Sequence, residues 1–115
     1  MDISSIIEYA RKYSVEAGGS HDWSHTLRVF NLCQRIGKAE NADLEVLTVS
    51  AYLHDIGRGN EYESKGKICH AEKGAEMALA ILMQYPLSAD KKKNIIHCIR
   101  THRFRGNLRP ETLEA

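Results

Sequence analysis

A chain of 115 residues with a formal net charge of +1, 43% hydrophobic and 27% charged residues has room for one small core, which removes roughly more than half of its unfolded surface from water. It holds no apolar run long enough to span a membrane and no signal-peptide pattern at its N-terminus, and a charge this near zero gives no global attraction to nucleic acid. Its three cysteines, Cys33, Cys69 and Cys98, are odd in number and lack CxxC spacing, so they read as reduced thiols of a cytoplasmic protein.

The first predicted helix runs from Ile3 to about Ala17, with Ile3, Ile6, Ile7 and Ala10 on one face, and Gly18-Gly19 ends it. Ser20 or Asp22 caps a second helix reaching Glu40, in which Leu27, Phe30, Cys33 and Ile36 recur at helical spacing. On a wheel of that helix His25 lies in line with Val29, Leu32 and Ile36, and is expected to point inward. Asp43 caps a third helix, Leu44 to Leu53, which is apolar on nearly all sides and therefore central and buried. It ends in Leu53-His54-Asp55-Ile56-Gly57.

Arg58 to Cys69 is a polar loop without periodicity, holding Glu61, Glu63, Lys65 and Lys67. A fourth helix, about His70 to Tyr85, presents Ala71, Gly74, Ala75, Ala78, Leu79 and Leu82 on one stripe, which implies close helix packing until Pro86 stops it. Ser88 or Asp90 opens a fifth helix to about Arg103. There Ile95, Cys98 and Ile99 define a buried arc that includes His102, while His97 faces solvent beside Arg100. Cys33 and Cys98 read as core fillers, and Cys69 stands beside His70, where a thiol could ligate. Pro110 and Glu111 signal a further helix start, yet the remaining residues make barely two turns, too few for a stable helix. The expected fold is all-α: a single helical domain of about five helices over residues 1–115, with its final helix or helices missing.

The chemistry concentrates at His54-Asp55. Burying an imidazole and a carboxylate at the end of an apolar helix is costly unless something pairs with them. A divalent cation pairs with both, although the two residues could also simply cap the helix. His25 supplies a second inward imidazole from another helix, and Arg28, one turn later, could receive a phosphate oxygen or remain an ordinary solvated arginine. Two imidazoles and a carboxylate suit manganese, iron, cobalt, nickel or zinc better than magnesium, which prefers oxygen-only sites. A second pattern, His21-Asp22-Trp23-Ser24-His25, differs from the zinc-protease motif H-E-x-x-H by Asp for Glu. There the helix begins too late for His21, and Asp is one methylene short of the glutamate that would reach the zinc water.

His25-Thr26-Leu27-Arg28-Val29, followed by His54-Asp55, resembles the HD superfamily of metal-dependent phosphohydrolases. The similarity extends through His70-Ala71-Glu72-Lys73-Gly74-Ala75-Glu76 and Ile99-Arg100-Thr101-His102-Arg103-Phe104. The resemblance implies metal ligation by His25, His54 and Asp55, with attack of a metal-bound water on phosphorus. The family's fourth ligand, an aspartate on a later helix, has no counterpart in this chain. On the same reading His70 or Glu72 would move protons, and Arg28, Lys67, Lys73, His102 and Arg103, with Arg105 beside it, would bind substrate phosphate.

The implied partner is a small phosphate compound, most often a nucleotide in this family. The alternative is an HD domain, or a fragment of one, that binds metal or nucleotide without turnover. Arg100, Arg103, Arg105 and Arg109 form a basic cluster, but without interleaved stacking aromatics a nucleic-acid partner is not expected. The apolar faces of the helices leave a homo-oligomer open.

Overall fold

The helix with fewest charges becomes the centre of the structure. In the computed structural model, which describes residues 3–17, 23–57, 70–102 and 110–115 (the side chains of residues 14–17 and 70 excepted), the described residues form five helices and no strand. These are α1 (Ser4–Ala17), α2 (Trp23–Glu40), α3 (Leu44–Leu53), α4 (His70–Leu82) and α5 (Ala89–Thr101). The all-α expectation holds. No helix among the described residues is long and apolar enough to cross a membrane.

Helix α3 packs against α1, α2 and α5, and α4 packs against α5. Seven of its ten residues are buried, from Val46 to Leu53 with Thr48 excepted. Asp43 caps it as the sequence predicts: the carboxylate accepts from the Glu45 and Val46 amides at 3.0 and 3.2 Å, satisfying two donors that the helix itself cannot. Val46, Val49, Tyr52, Leu53 and Ile56 then join Ile6 and Ala10 of α1, Ala75, Ala78, Ile81 and Leu82 of α4, and Ile95, Cys98 and Ile99 of α5 in one cluster. Burial pushes the Cys98 thiol up to about 11 and raises Cys33 as well. Both therefore stay protonated at neutral pH; Cys98 fills the core as expected, whereas Cys33 is only half-buried on α2.

Helix α2 turns a different stripe inward from the one expected. At about 100° per residue, Thr26, Phe30, Cys33 and Gly37 line one stripe, and His25, Val29, Leu32 and Ile36 line another beside it. The first faces the core: Thr26 and Gly37 are buried, and Phe30 stacks on Tyr52 at 5.0 Å, next to Trp23 at 5.8 Å from the same ring. Leu27, Leu32 and Ile36 are exposed, Ile36 at 61%. The cause is Gly37. A Cβ there would run into the side chains of Leu47 and Leu44, so α3 reaches the α2 backbone at the position of that stripe that has no side chain. His25 consequently sits on the shoulder of α2, its side chain 28% exposed.

Helix α4 docks through Ala71, Gly74, Ala75 and Ala78, all buried. A Cβ on Gly74 would lie 3.5 Å from both the Gly57 amide and Ile99, so this part of α4 lies against the turn after α3. Leu79, placed on the packing stripe from the sequence, is instead half exposed. The helix stops at Leu82, before Tyr85.

Residues 110–115 do not begin a helix. They form a strap tying the start of α3 to α5. The Glu114 carboxylate accepts from the Asp43 amide at 2.8 Å and from Asn94 Nδ2 at 2.9 Å. Thr112 Oγ1 donates to Asn94 Oδ1 at 2.8 Å, and the Glu111 amide donates to His97 Nε2 at 2.9 Å. His97, expected to be solvated, is thus half-buried under the strap. Long-range hydrogen-bond partners outcompete the local helix-start signal of Pro110 and Glu111.

The backbone and side-chain donors hold the Glu114 carboxyl below the usual carboxylate range. Because its folded value is depressed, its contribution to stability is complete above the ordinary carboxylate pKa and is lost as pH falls through the lowered value. Glu114→Gln should therefore flatten the acid limb of the stability curve, seen as a smaller drop in melting temperature between neutral pH and pH about 3. An unchanged acid limb would mean the strap is not held by this carboxylate in solution.

Candidate metal centre

Two helices end in the same way. His54 follows the last residue of α3 and His102 the last residue of α5, both in right-handed helical backbone. In each, ring Nδ1–H donates to the carbonyl three residues back: Ala51 for His54 and Ile99 for His102, both at 2.6 Å. A carbonyl only accepts, so the Nδ1 proton is fixed and each Nε2 is left as the electron-pair donor, the arrangement that orients ligating imidazoles.

Both rings turn their Nε2 toward Asp55. Its side chain is 7% exposed, with His54 Nε2 at 3.2 Å from Oδ2 and His102 Nε2 at 3.6 Å from Oδ1. From the shoulder of α2, His25 brings a third Nε2 to 3.3 Å from Oδ2. The His25 and His54 Nε2 atoms are 3.4 Å apart. Two lone pairs at that separation repel unless a cation or a proton lies between them, and one buried carboxylate beside three imidazoles supplies the matching negative charge.

Among the described residues, His25, His54 and Asp55 are the group whose ligand atoms all lie within 4.8 Å of one another. Two imidazole nitrogens and a carboxylate oxygen converging in this way fit a borderline divalent cation. The three sequence-predicted ligands are thus brought together, although His25 reaches the centre from a helix shoulder and not from the core.

The other predicted site residues divide. His102 lies against the Asp55 carboxylate, and its ring stands edge-on to His54 at 5.2 Å. Arg28 is exposed on α2, one turn after His25. Glu72 is exposed and engages Arg100 at 3.5 Å, and Lys73 engages Glu76 at 3.7 Å, so both charges have partners on the outer surface. Lys67, Arg103, Arg105, Cys69 and His21 fall outside the described residues, as does the side chain of His70. Sequence reasoning overlooked the repeated histidine device. Its signal was available: a histidine immediately after the last helical residue, on each of two helices.

Comparison with known proteins shows the family of the chain. The HD domain matches residues 22–115. The chain is 31% identical over 97 residues to ribonuclease Y of Alkaliphilus metalliredigens, covering 84% of this chain and 18% of that protein. Ribonuclease Y of Syntrophomonas wolfei is 30% identical over 97 residues, covering 84% and 16%. The chain thus spans less than a fifth of these curated relatives. Among solved structures, a predicted HD superfamily hydrolase from an uncultured Thermotogales bacterium superposes with a TM-score of 0.84 at 31% identity, over 96% of this chain and 60% of that one. With the histidine–aspartate centre at the end of α3, this chain belongs to the HD domain family.

Proposed function

We propose that the domain is a metal-dependent phosphohydrolase acting on nucleotides or related phosphate esters. The observation that carries this reading is the convergence of three imidazole Nε2 atoms on one buried carboxylate. His25, His54 and Asp55 would hold the cation, with manganese, iron, cobalt, nickel or zinc preferred over magnesium by this donor set. When bound, such an ion supplies Lewis acidity toward a phosphoryl oxygen and acidifies a coordinated water.

The chain's own residues do the rest. The Ala51 carbonyl keeps His54 in one tautomer and one orientation. Asp55 compensates the positive charge gathered at the centre. His102, held by Ile99, stands on the far oxygen of that carboxylate, and a part in binding substrate phosphate would require a proton on its Nε2. Arg28 offers a cation to the same phosphate from one turn along α2. His70 is proposed to move protons at the N-terminus of α4. A role for Glu72 would require it to leave Arg100.

Similarity to the two ribonuclease Y proteins favours a second substrate reading, an RNA phosphodiester. One experiment separates the readings: phosphate and pyrophosphate release from a nucleotide panel, run beside cleavage of a labelled oligoribonucleotide, with manganese, cobalt, nickel or magnesium added and Asp55→Ala as control. Metal-dependent release from nucleotides that is lost in the control supports the proposal. Oligoribonucleotide cleavage alone replaces its substrate. Metal binding with turnover of neither leaves a non-catalytic domain.

A further inference from the structure

Of the large apolar side chains exposed among the described residues, Leu32 and Ile36 lie on α2, and Leu79 and Met83 lie on α4 and its end. The charges beside them are opposite. From Trp23 to Ala39, α2 has no carboxylate, and its exposed surface carries Arg28, Arg35 and Lys38. The exposed surface of α4 carries Glu72 and Glu76. We propose that these two faces dock on each other between copies of this chain.

The register follows from the spacing. Arg28, Leu32, Arg35 and Ala39 fall one helical turn apart along α2, and Glu72, Glu76, Leu79 and Met83 do the same along α4. Laid antiparallel, they place Leu32 on Leu79, Arg35 on Glu76 and Lys38 by Glu72. The Arg28 stem then covers Met83, since long basic side chains can bury their methylenes while the head stays wet. Laid parallel, Leu32 would meet Glu76 and Arg35 would meet Leu79, so the antiparallel docking is favoured. The intrachain pairs Glu72–Arg100 and Glu76–Lys73, at 3.5 and 3.7 Å, join exposed side chains and compete weakly.

Helix α2 packs on α3 and α4 on α5, so the two faces flank the central α3–α5 pair. The contact joins two different surfaces and is heterologous: each docking consumes one α2 face and one α4 face and leaves the other of each available, so assembly proceeds past a dimer, to a ring where the rotation closes and to an open filament where it does not. A single helix pair falls at the small end of specific interfaces, below about 1,200 Å² in total, so the association is weak and reversible. Screening of its exposed charges beyond about 8 Å at physiological ionic strength weakens it further as salt rises.

The test is sedimentation velocity of the full chain across a concentration series at low and high salt. The expected result is a sedimentation coefficient that climbs with concentration and falls with salt. Arg35→Glu and Glu76→Arg should each weaken association at least about threefold, while mixing the two variants restores it through the swapped pair. Circular dichroism and melting temperature establish that both variants are folded. A monomer at every concentration overturns the proposal. So does association that neither charge reversal weakens, or association lost in both variants and not regained on mixing.

Discussion

Asp55→Ala is expected to abolish the stabilisation of this domain by divalent cations and to lower any metal-dependent hydrolysis by at least about 100-fold, the upper range for removing even an outer-sphere partner of a metal ligand. The carboxylate is 7% exposed, lies within 3.6 Å of three imidazole nitrogens, and is the one carboxylate of the described group that could hold a cation. In the unmutated chain, a cation at a hundred times its dissociation constant should add about 2.7 kcal/mol to the folded state. For a domain of this size that raises the melting temperature by roughly 10 °C. The variant should show no such rise. Differential scanning fluorimetry with manganese, cobalt or nickel, with and without chelator, reads both arms. A variant that keeps the full shift would place the cation somewhere other than the end of α3.

Leu53→Ala should cost about 2–5 kcal/mol, the range for emptying a fully buried leucine site. Leu53 is 0% exposed at the centre of the cluster and directly precedes His54. Set against a total stability of about 5–15 kcal/mol, that loss removes a large share of the folded state. It also loosens the turn that aims His54 and Asp55, so cation affinity should fall together with stability. Ile95→Val, at an equally buried position on α5, removes one methyl and should cost only about 0.5–1.5 kcal/mol. Urea denaturation of the three proteins ranks them. A loss below about 1 kcal/mol at Leu53 would contradict its place in the core.

The docking of α2 bears on how the candidate metal centre is built. Because α3 approaches along the Gly37 stripe, His25 is rotated to the shoulder of its helix. There it can reach Asp55 while keeping one side toward solvent, which a substrate phosphate would need. An inward His25, in line with a buried Leu32 and Ile36, would have closed that approach.

Much of this protein was determined locally. The α3 cap at Asp43, the Ser88 cap of α5 (whose hydroxyl accepts from the Lys91 amide at 3.2 Å), the burial of α3 and the pairing of His54 with Asp55 each depend on residues a few positions apart. Neighbouring side chains and orphaned helix amides are enough to specify such features. The all-α class followed from such local patterns, and the three candidate ligands from the resemblance of His25-Thr26-Leu27-Arg28-Val29 and His54-Asp55 to the HD superfamily. Tertiary structure alone decided which of two apolar stripes on α2 faces inward, because that turns on a gap at Gly37 matching Leu44 and Leu47 of another helix. It alone decided that residues 110–115 bind Asn94, His97 and the Asp43 amide instead of starting a helix, since those partners lie distant in sequence. And it alone placed His102 on the Asp55 carboxylate, because the approach of α5 to α3 is set by the packing of Ile95, Cys98 and Ile99, to which the local pattern around His102 is blind.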